Sequence, residues 1–210
     1  MTARAVLFVD GSNWYHGLKE AGVDLGRLDY VKTASKLAGP RQWIGLRYYV
    51  GQVKQVGNLR LAPEQQLFLS KLKGADPRIT VHLGRIEPRY AKSPAAVELL
   101  DYLARLRTRI DPAVYADLVA LGTRHKSNKV MVEKGVDVML AVDLVVMAER
   151  NEFDVAYLLS ADGDYTHAVS AVRAHGKKVF AASASHGAQL AAAVDSYIHL
   201  RTSWFSDCLA

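Results

Sequence analysis

The chain has 210 residues, a net charge of +6, and hydrophobic side chains at half of its positions. This composition excludes an intrinsically disordered protein and is typical of a single folded domain with a substantial core. The lone cysteine, Cys208, cannot form an internal disulfide, which predicts a reducing, cytoplasmic setting. The longest apolar stretch, residues 138–148, is too short to span a membrane. The positive charge favours acidic partners, nucleic acid first among them.

Apolar runs alternate with segments of helical periodicity in the first half of the chain. Runs rich in β-branched and aromatic residues predict three strands, at residues 4–9, 43–50 and 79–86. Helical spacing predicts helices at residues 29–38 and 62–73, and another directly after the first strand, capped by Ser12 or Asn13. Such alternation is typical of right-handed crossovers in a parallel sheet.

The second half continues the pattern after an irregular middle. Residues 94–121 predict a helical hairpin, broken at Asp111, that is inserted into the domain. A polar, basic stretch follows at residues 122–135 and is predicted to be flexible. The remaining predicted elements are helices at 136–149 and 165–174, strands at 155–159 and 177–183, and a helix running into a short edge strand at 187–200. One domain spanning residues 1–210 is the prediction, in the α/β class.

Two aspartates directly follow predicted parallel strands. Asp10 comes after the first strand, and Asp162 comes after the strand at residues 155–159. Because the carboxyl ends of parallel strands line the ligand-binding crevice, we expect these carboxylates to meet there. They would repel each other unless a cation lay between them. Carboxylate oxygens suit Mg²⁺ or Mn²⁺, so the pattern predicts a divalent metal site used in phosphate chemistry.

Other polar residues extend this predicted site. Asp137 lies in an otherwise apolar helix, where a charge is costly unless it is compensated. Asp164 follows Asp162 on the same loop, although it could equally stabilise a helix N-terminus, and Asn13 could equally form a turn. Asp143 is six residues after Asp137, which is about 600° of helical rotation, so it should not bind the same ion. It is expected to support the site from outside, as are Ser12 and Ser160.

Basic and aromatic side chains flank the acidic segments. Phosphate binding is predicted for Arg124, Lys126, Lys129 and Lys134, although such a run is often only a solvated loop. Trp14, Tyr15 and Tyr165 flank the two aspartate loops and could stack on bases, with core packing as the alternative for each.

Five segments together resemble the NYN domains of the PIN-like nuclease superfamily, especially the bacterial LabA-like proteins. The similar segments are FVDGSNWYH (8–16), HLGRIEPR (82–89), KGVDVMLAVDLV (134–145), YLLSADGDYTHAV (157–169) and GKKVFAASAS (176–185). The resemblance implies a PIN-like three-layer α/β/α sandwich around a mostly parallel, five- or six-stranded sheet. It also implies a Mg²⁺- or Mn²⁺-dependent ribonuclease site formed by Asp10, Asp137, Asp162 and Asp164, with Asn13 beside them.

The leading functional hypothesis is cleavage of single-stranded RNA by metal-activated water. A homo-oligomer is also compatible with the sequence. The first alternative is an RNA-binding or regulatory protein with a degenerate or very slow nuclease site. A phosphatase of the haloacid dehalogenase type needs the pattern DxDx[TS], and the segment VDGSN lacks its second aspartate. The sequence departs from many relatives at His167, where they have proline, which affects the expected substrate more than the expected chemistry.

Overall fold

The computed structural model describes residues 2–52 and 61–209, without the side chains of residues 61, 62, 128 and 129. The strands are β1 (Arg4–Asp10), β2 (Gln42–Gln52), β3 (Ile79–Lys92), β4 (Ser127–Lys134), β5 (Val155–Leu159), β6 (Lys178–Ser183) and β7 (Ser196–His199). The helices are α1 (Gly11–Glu20), α2 (Tyr30–Ala38), α3 (Leu61–Ala75), α4 (Pro94–Leu106), α5 (Pro112–Arg124), α6 (Val136–Glu149), α7 (Thr166–Ala174) and α8 (Ala188–Ala193).

The strands form one sheet in the order β4-β3-β2-β1-β5-β6-β7. The pairs from β3 through β7 are parallel, which confirms the predicted α/β class and the mostly parallel sheet. The sheet has seven strands in the described residues, rather than five or six. The additional strand is β4, which forms where residues 122–135 were predicted to be flexible. Its sequence, SNKVMVEK, is largely polar and lacks the apolar run by which the central strands were recognised.

The chain divides into two compact units, one comprising residues up to Arg85 together with those from Lys134, and the other comprising Ile86–Glu133. In the first unit, alternate residues of β1 face opposite sides of the sheet, as the two-residue period of a strand requires. Leu7 belongs to a core shared with α1 and α2, whereas Phe8 belongs to a core shared with α6, α7 and α8. The first unit is therefore a three-layer sandwich, as predicted.

The second unit contains the predicted helical hairpin. Helices α4 and α5 each begin with proline, preceded by a capping residue whose side chain accepts backbone N–H groups of the first turn, Ser93 for α4 and Asp111 for α5. The helices pack closely, because Gly122 of α5 lies against Leu100 of α4, where an added Cβ would approach within 2.8 Å. The description of the whole chain as one domain with an insertion remains a prediction.

Candidate functional site

Strand β1 delivers Asp10 to the start of α1 without an intervening loop. The carboxylate is buried, at 4% exposure, and its Oδ1 accepts the Asn13 N–H at 3.1 Å, so Asp10 itself caps the helix. The predicted caps, Ser12 and Asn13, are therefore wrong, because the helix begins one residue after the strand, at Gly11. Glycine is required there, since a Cβ would approach the Tyr48 ring and the Tyr49 carbonyl within 2.7 Å.

A tyrosine hydroxyl joins Asp10 to a second carboxylate. The Tyr165 hydroxyl lies 3.2 Å from Asp10 Oδ2 and 3.1 Å from Asp137 Oδ1. Asp137 is exposed and stands in the first turn of α6, where the helix dipole favours a negative charge. Two carboxylates from distant parts of the sequence thus share one neighbouring oxygen atom. We refer to Asp10 and Asp137 as the acidic pair.

The acidic pair is not neutralised by the protein in the described residues, since neither carboxylate forms an ion pair with lysine or arginine there. The pKa of Asp10 is raised from its ordinary value of 3.8 to about 6, chiefly by burial; the hydrogen bond from Asn13 opposes this rise, and the charge of Asp137 contributes to it. Burial likewise raises the pKa of the Tyr165 hydroxyl well above its ordinary value, with both carboxylates adding to the effect. Asp10 is therefore a carboxylate whose charge is costly in the absence of a cation.

The SADGD loop after β5 connects to Asp10 through Ser160. The buried Ser160 hydroxyl donates to Asp10 Oδ2 at 3.1 Å and accepts the Asp162 N–H at 3.1 Å. Asn13 adds a second link, because its Oδ1 accepts the Ala161 N–H at 2.9 Å. These bonds hold the loop beside the start of α1, and the supporting role of Ser160 remains a prediction.

The aspartates of this loop have local roles in the structure. Asp162 Oδ1 accepts the Asp164 N–H at 2.9 Å and so caps a short 3-10 turn, and Asp164 is exposed in that turn. No group of three or more histidine, cysteine, aspartate or glutamate side chains is close enough to hold a metal ion within residues 2–52 and 61–209. The structure therefore brings Asp10 and Asp137 together, while ion binding by Asp162 and Asp164 remains a prediction.

Asp143 lies in a separate environment on α6. Its Oδ2 accepts hydrogen bonds from Arg47 Nη2 at 2.8 Å and from the Tyr49 hydroxyl at 2.7 Å, both on β2. Burial opposes ionisation, but the bonds from Tyr49 and Arg47 prevail and lower the pKa of Asp143. Asp143 is thus an ion-paired residue that attaches α6 to β2, and its supporting role at the site remains a prediction.

The predicted phosphate-binding residues lie at the end of α5 and along β4. Arg124 is the last residue of α5, and Lys126, like Arg124 and Lys134, is exposed. The side chain of Lys129 lies outside the described residues. Of the flanking aromatics, Trp14 and Tyr165 are core residues, at 1% exposure each, whereas Tyr15 is 45% exposed. Base stacking by Trp14 and Tyr165 is therefore excluded by their burial.

The donors present fit a hard divalent cation. Mg²⁺ is commonly bound by only one or two carboxylates, with water and substrate oxygens completing its coordination shell. The acidic pair offers two such carboxylates, and Asp10 is buried without a cationic side chain to offset its charge. A bound divalent ion would supply that missing charge.

The NYN domain family matches residues 115–201 of this chain. The predicted resemblance to NYN domains is confirmed. The NYN domain belongs to the PIN-like superfamily, and the match covers Asp137, the SADGD loop and Tyr165, whereas Asp10 and Asn13 precede it. Nucleases with NYN domains act on RNA and generally use divalent metals. The more specific LabA-like assignment remains a prediction.

The fold has a counterpart among solved structures. A crystal structure of a protein of unknown function from Vibrio parahaemolyticus superimposes with a TM-score of 0.58 at 16% sequence identity, covering 100% of this chain and 97% of the other. At that identity the similarity shows the fold alone. No curated protein matches this chain. No helix in the described part of the chain is both long and apolar enough to cross a membrane.

One feature of the site that the sequence reasoning missed is the role of the Tyr165 hydroxyl. Tyr165 was considered as a stacking or core residue, and its ring is indeed buried. Its position directly after SADGD was the available signal, because a ring turned into the core from that loop brings its hydroxyl beneath the end of β1. Only the fold shows that Asp10 and Asp137 both reach this hydroxyl.

Proposed function

We propose that this protein is a Mg²⁺- or Mn²⁺-dependent ribonuclease that cleaves phosphodiester bonds of single-stranded RNA. The observation that carries the proposal is the acidic pair, in which a buried and an exposed carboxylate meet at one hydroxyl where the parallel strand β1 ends. Carboxylates concentrated at the carboxyl ends of parallel strands occupy the position where open α/β sheets bind their ligands. The NYN match supports the same chemistry.

In this proposal the acidic pair binds the divalent cation, and Asp162 and Asp164 complete the set of carboxylates from the neighbouring loop. The cation, when bound, lowers the pKa of the attacking water and neutralises charge that builds on the scissile phosphate. Asp10 is held in position by the Asn13 N–H and the Ser160 hydroxyl. The Asn13 side-chain oxygen accepts the Ala161 N–H. Its amide N–H groups are therefore the part of the side chain that would donate to a phosphate oxygen.

The remaining proposed roles concern the RNA chain. Arg124, Lys126, Lys129 and Lys134 would contact phosphates away from the scissile bond, which positions the strand without reading its sequence. The net charge of +6 favours the approach of a polyanion. We place the reaction in the cytoplasm, where the substrate is abundant and a lone cysteine stays reduced.

The test is cleavage of end-labelled single-stranded RNA by the purified protein with Mg²⁺ or Mn²⁺. We expect cleavage that EDTA abolishes and that is lost in both Asp10→Asn and Asp162→Asn. Asp154→Asn is a matched control, because Asp154 is paired with Arg4 in the same unit and forms no contact with the acidic pair among the described residues. Cleavage that survives in both site variants would exclude this site.

The alternative is an RNA-binding or regulatory protein whose nuclease site is degenerate or very slow. One observation favours it, namely that the Asp162 carboxylate already caps its own loop through the Asp164 N–H. Binding a cation through Asp162 would then require the loop to rearrange. Tight RNA binding without turnover across Mg²⁺, Mn²⁺ and Ca²⁺ would support this alternative over the ribonuclease.

A further inference from the structure

We propose that Tyr165 is a positioning residue whose hydroxyl sets the separation of the acidic pair and thereby strengthens divalent-cation binding. The inference rests on the proposed metal site, because it gives one residue of that site a defined task. Its structural basis is the single oxygen atom that contacts both carboxylates, at 3.2 Å for Asp10 and 3.1 Å for Asp137.

The surroundings of Tyr165 fix this oxygen in place. The side chain is 1% exposed and belongs to the core that also contains Leu140 of α6 and Val169 of α7. The ring therefore cannot turn away without disturbing close packing. Because α6 also carries Asp137, the ring and the carboxylate it contacts are held against the same helix. A rigid hydroxyl between two carboxylates from β1 and α6 is a geometric constraint on both.

The Tyr165 hydroxyl cannot satisfy both carboxylates of the acidic pair at once. A hydroxyl carries one hydrogen, so Tyr165 donates to only one of the two carboxylates at a time. The other carboxylate oxygen then faces the hydroxyl oxygen without that hydrogen between them. A divalent cation on the acidic pair would offset this repulsion, while the hydroxyl keeps the carboxylates oriented.

Residues that orient metal ligands typically alter metal affinity by about 10–100-fold when they are mutated. We therefore expect Tyr165→Phe to raise the Kd for Mn²⁺ about tenfold or more. The substitution keeps the buried ring and removes only the hydroxyl, so it separates the proposed role from packing. Tyr157→Phe is the matched control, because it removes a buried tyrosine hydroxyl that bonds Arg41 at 2.8 Å, outside the acidic pair.

The experiment is titration of Mn²⁺ into the full-length protein, followed by electron paramagnetic resonance of the free ion. It compares the wild type, Tyr165→Phe, Tyr157→Phe and Asp10→Asn, with thermal melting to verify that each is folded. The proposal expects weaker binding in Tyr165→Phe, wild-type binding in Tyr157→Phe, and the largest loss in Asp10→Asn.

Two other results overturn the proposal in distinguishable ways. If Tyr165→Phe binds Mn²⁺ as the wild type does while Asp10→Asn does not, the metal site stands and the positioning role is wrong. If the wild type does not bind Mn²⁺, or if Asp10→Asn binds it as the wild type does, the metal site itself is wrong, and the proposed function fails with it. If Tyr165→Phe does not fold, Tyr165→Met replaces it in the same titration. An unchanged affinity for Mn²⁺ in that variant contradicts the positioning role of Tyr165.

A second inference comes from the unit Ile86–Glu133, independently of the proposed function. Of the twelve large apolar side chains that are exposed in the described residues, seven belong to this short unit. Two of them, Leu99 and Tyr102, are on α4 and are 43% and 58% exposed. They lie beside a groove of about 800 Å³ whose lining includes Lys92 and the exposed side of α4. Exposed apolar side chains gathered beside a groove are typical of an interaction site.

The charges along α4 identify the partner. Glu98 and Arg105 are seven residues apart and are therefore nearly aligned along the helix, and both line the same groove as Leu99 and Tyr102. Neither forms an ion pair within the described part of the chain. The groove is lined by acidic residues toward the start of α4, Glu98 and Asp101, and by the basic Arg105 toward its end, which makes it complementary to its own antiparallel copy.

We infer that a second copy of this chain packs on this face across a two-fold axis. With the two α4 helices antiparallel, Glu98 of each copy lies opposite Arg105 of the other, and Leu99 lies beside Tyr102. This is the isologous arrangement that two-fold symmetry imposes, in which the same contact is made twice.

The test is a charge exchange, measured by sedimentation equilibrium over a range of concentrations. Glu98→Arg and Arg105→Glu alone each place like charges in both contacts, so each should raise the dimer Kd about tenfold or more. The double variant restores opposite charges and should recover the wild-type Kd. Glu149→Arg, an exposed residue at the end of α6, is the control for the change in net charge.

The inference is wrong if the wild-type chain is monomeric at its highest soluble concentration. It is equally wrong if either single variant dimerises as the wild type does, or if the double variant fails to recover. Circular dichroism of each variant establishes that α4 remains helical, so that loss of the dimer is not loss of the helix.

Discussion

Helix α6 carries two aspartates in opposite electrostatic surroundings. Asp137, in the first turn, meets a second carboxylate, Asp10, at the Tyr165 hydroxyl. Asp143, further along the helix, is bound by Arg47 and Tyr49 of β2. The pKa of Asp10 is raised to about 6, chiefly by burial, whereas that of Asp143 is lowered, because its hydrogen bonds outweigh its burial. An acid that lacks a cationic partner distinguishes a ligand-binding position from a structural one.

The largest expected effect is on RNA cleavage by variants of these two positions. Asp137→Asn removes a carboxylate from the acidic pair and should reduce the cleavage rate about 100-fold or more. The cleavage rate of Asp143→Asn should stay within about threefold of the wild-type rate, because this substitution changes the ion pair with Arg47 and not the acidic pair. Both are measured on labelled RNA under single-turnover conditions. Equal losses in the two variants would remove the distinction between the two aspartates of α6.

The next effect is a gain in stability on removing the Asp10 charge. A pKa raised from 3.8 to about 6 corresponds to about 3 kcal/mol of unfavourable free energy above pH 6. The folded state binds the proton more tightly, so wild-type stability falls as the pH rises between those two values. Asp10→Asn should remove this fall and gain about 1–2 kcal/mol at pH 7, since lost hydrogen bonds offset part of the benefit.

Urea unfolding with EDTA, at pH values between 4 and 8, tests this expectation. Asp154→Asn is again the control, because its partner Arg4 lowers the pKa of Asp154 rather than raising it. A wild-type stability that rises between pH 4 and pH 6, with Asp10→Asn less stable at pH 7, would mean that Asp10 is compensated within the protein.

The smallest expected effect is a loss of stability in Asp143→Asn. The ion pair with Arg47 is partly buried, so its removal should cost about 1 kcal/mol at pH 7. Because the pKa of Asp143 is lowered in the folded state, its contribution is present above pH 3.8 and is lost as the pH falls below that value. The difference between wild type and variant in urea unfolding should therefore shrink at acidic pH. A variant as stable as the wild type at pH 7 contradicts the structural role of Asp143.

Much of the fold could be predicted because its central strands carry strong local signals. Runs such as AVLFV and VAYLL are fully buried, and buried parallel strands read as continuous apolar sequence. Strand β4 could not be recognised in this way, because SNKVMVEK lacks a continuous apolar run. The cap of α1 was misplaced for a related reason, since nothing in VDGSN reveals that the strand passes directly into the helix.

The candidate site was predictable in part. The strand-end rule brought Asp10 and the SADGD loop to one region, and the structure links them through Ser160 and Asn13. Helical geometry separated Asp143 from Asp137 correctly. The sequence could not reveal that Asp162 caps its own loop, or that the hydroxyl of a core tyrosine joins Asp10 to Asp137, because both depend on side-chain directions that spacing does not determine.

The most direct test of the central claim is a crystal structure of the wild-type protein soaked in Mn²⁺, with the ion located by its anomalous scattering. We predict a peak with oxygens of both Asp10 and Asp137 within about 2.5 Å of the ion. Absence of a peak at the acidic pair, at an ion concentration that fills other acidic sites of the crystal, would contradict the claim that this pair is a divalent-cation site.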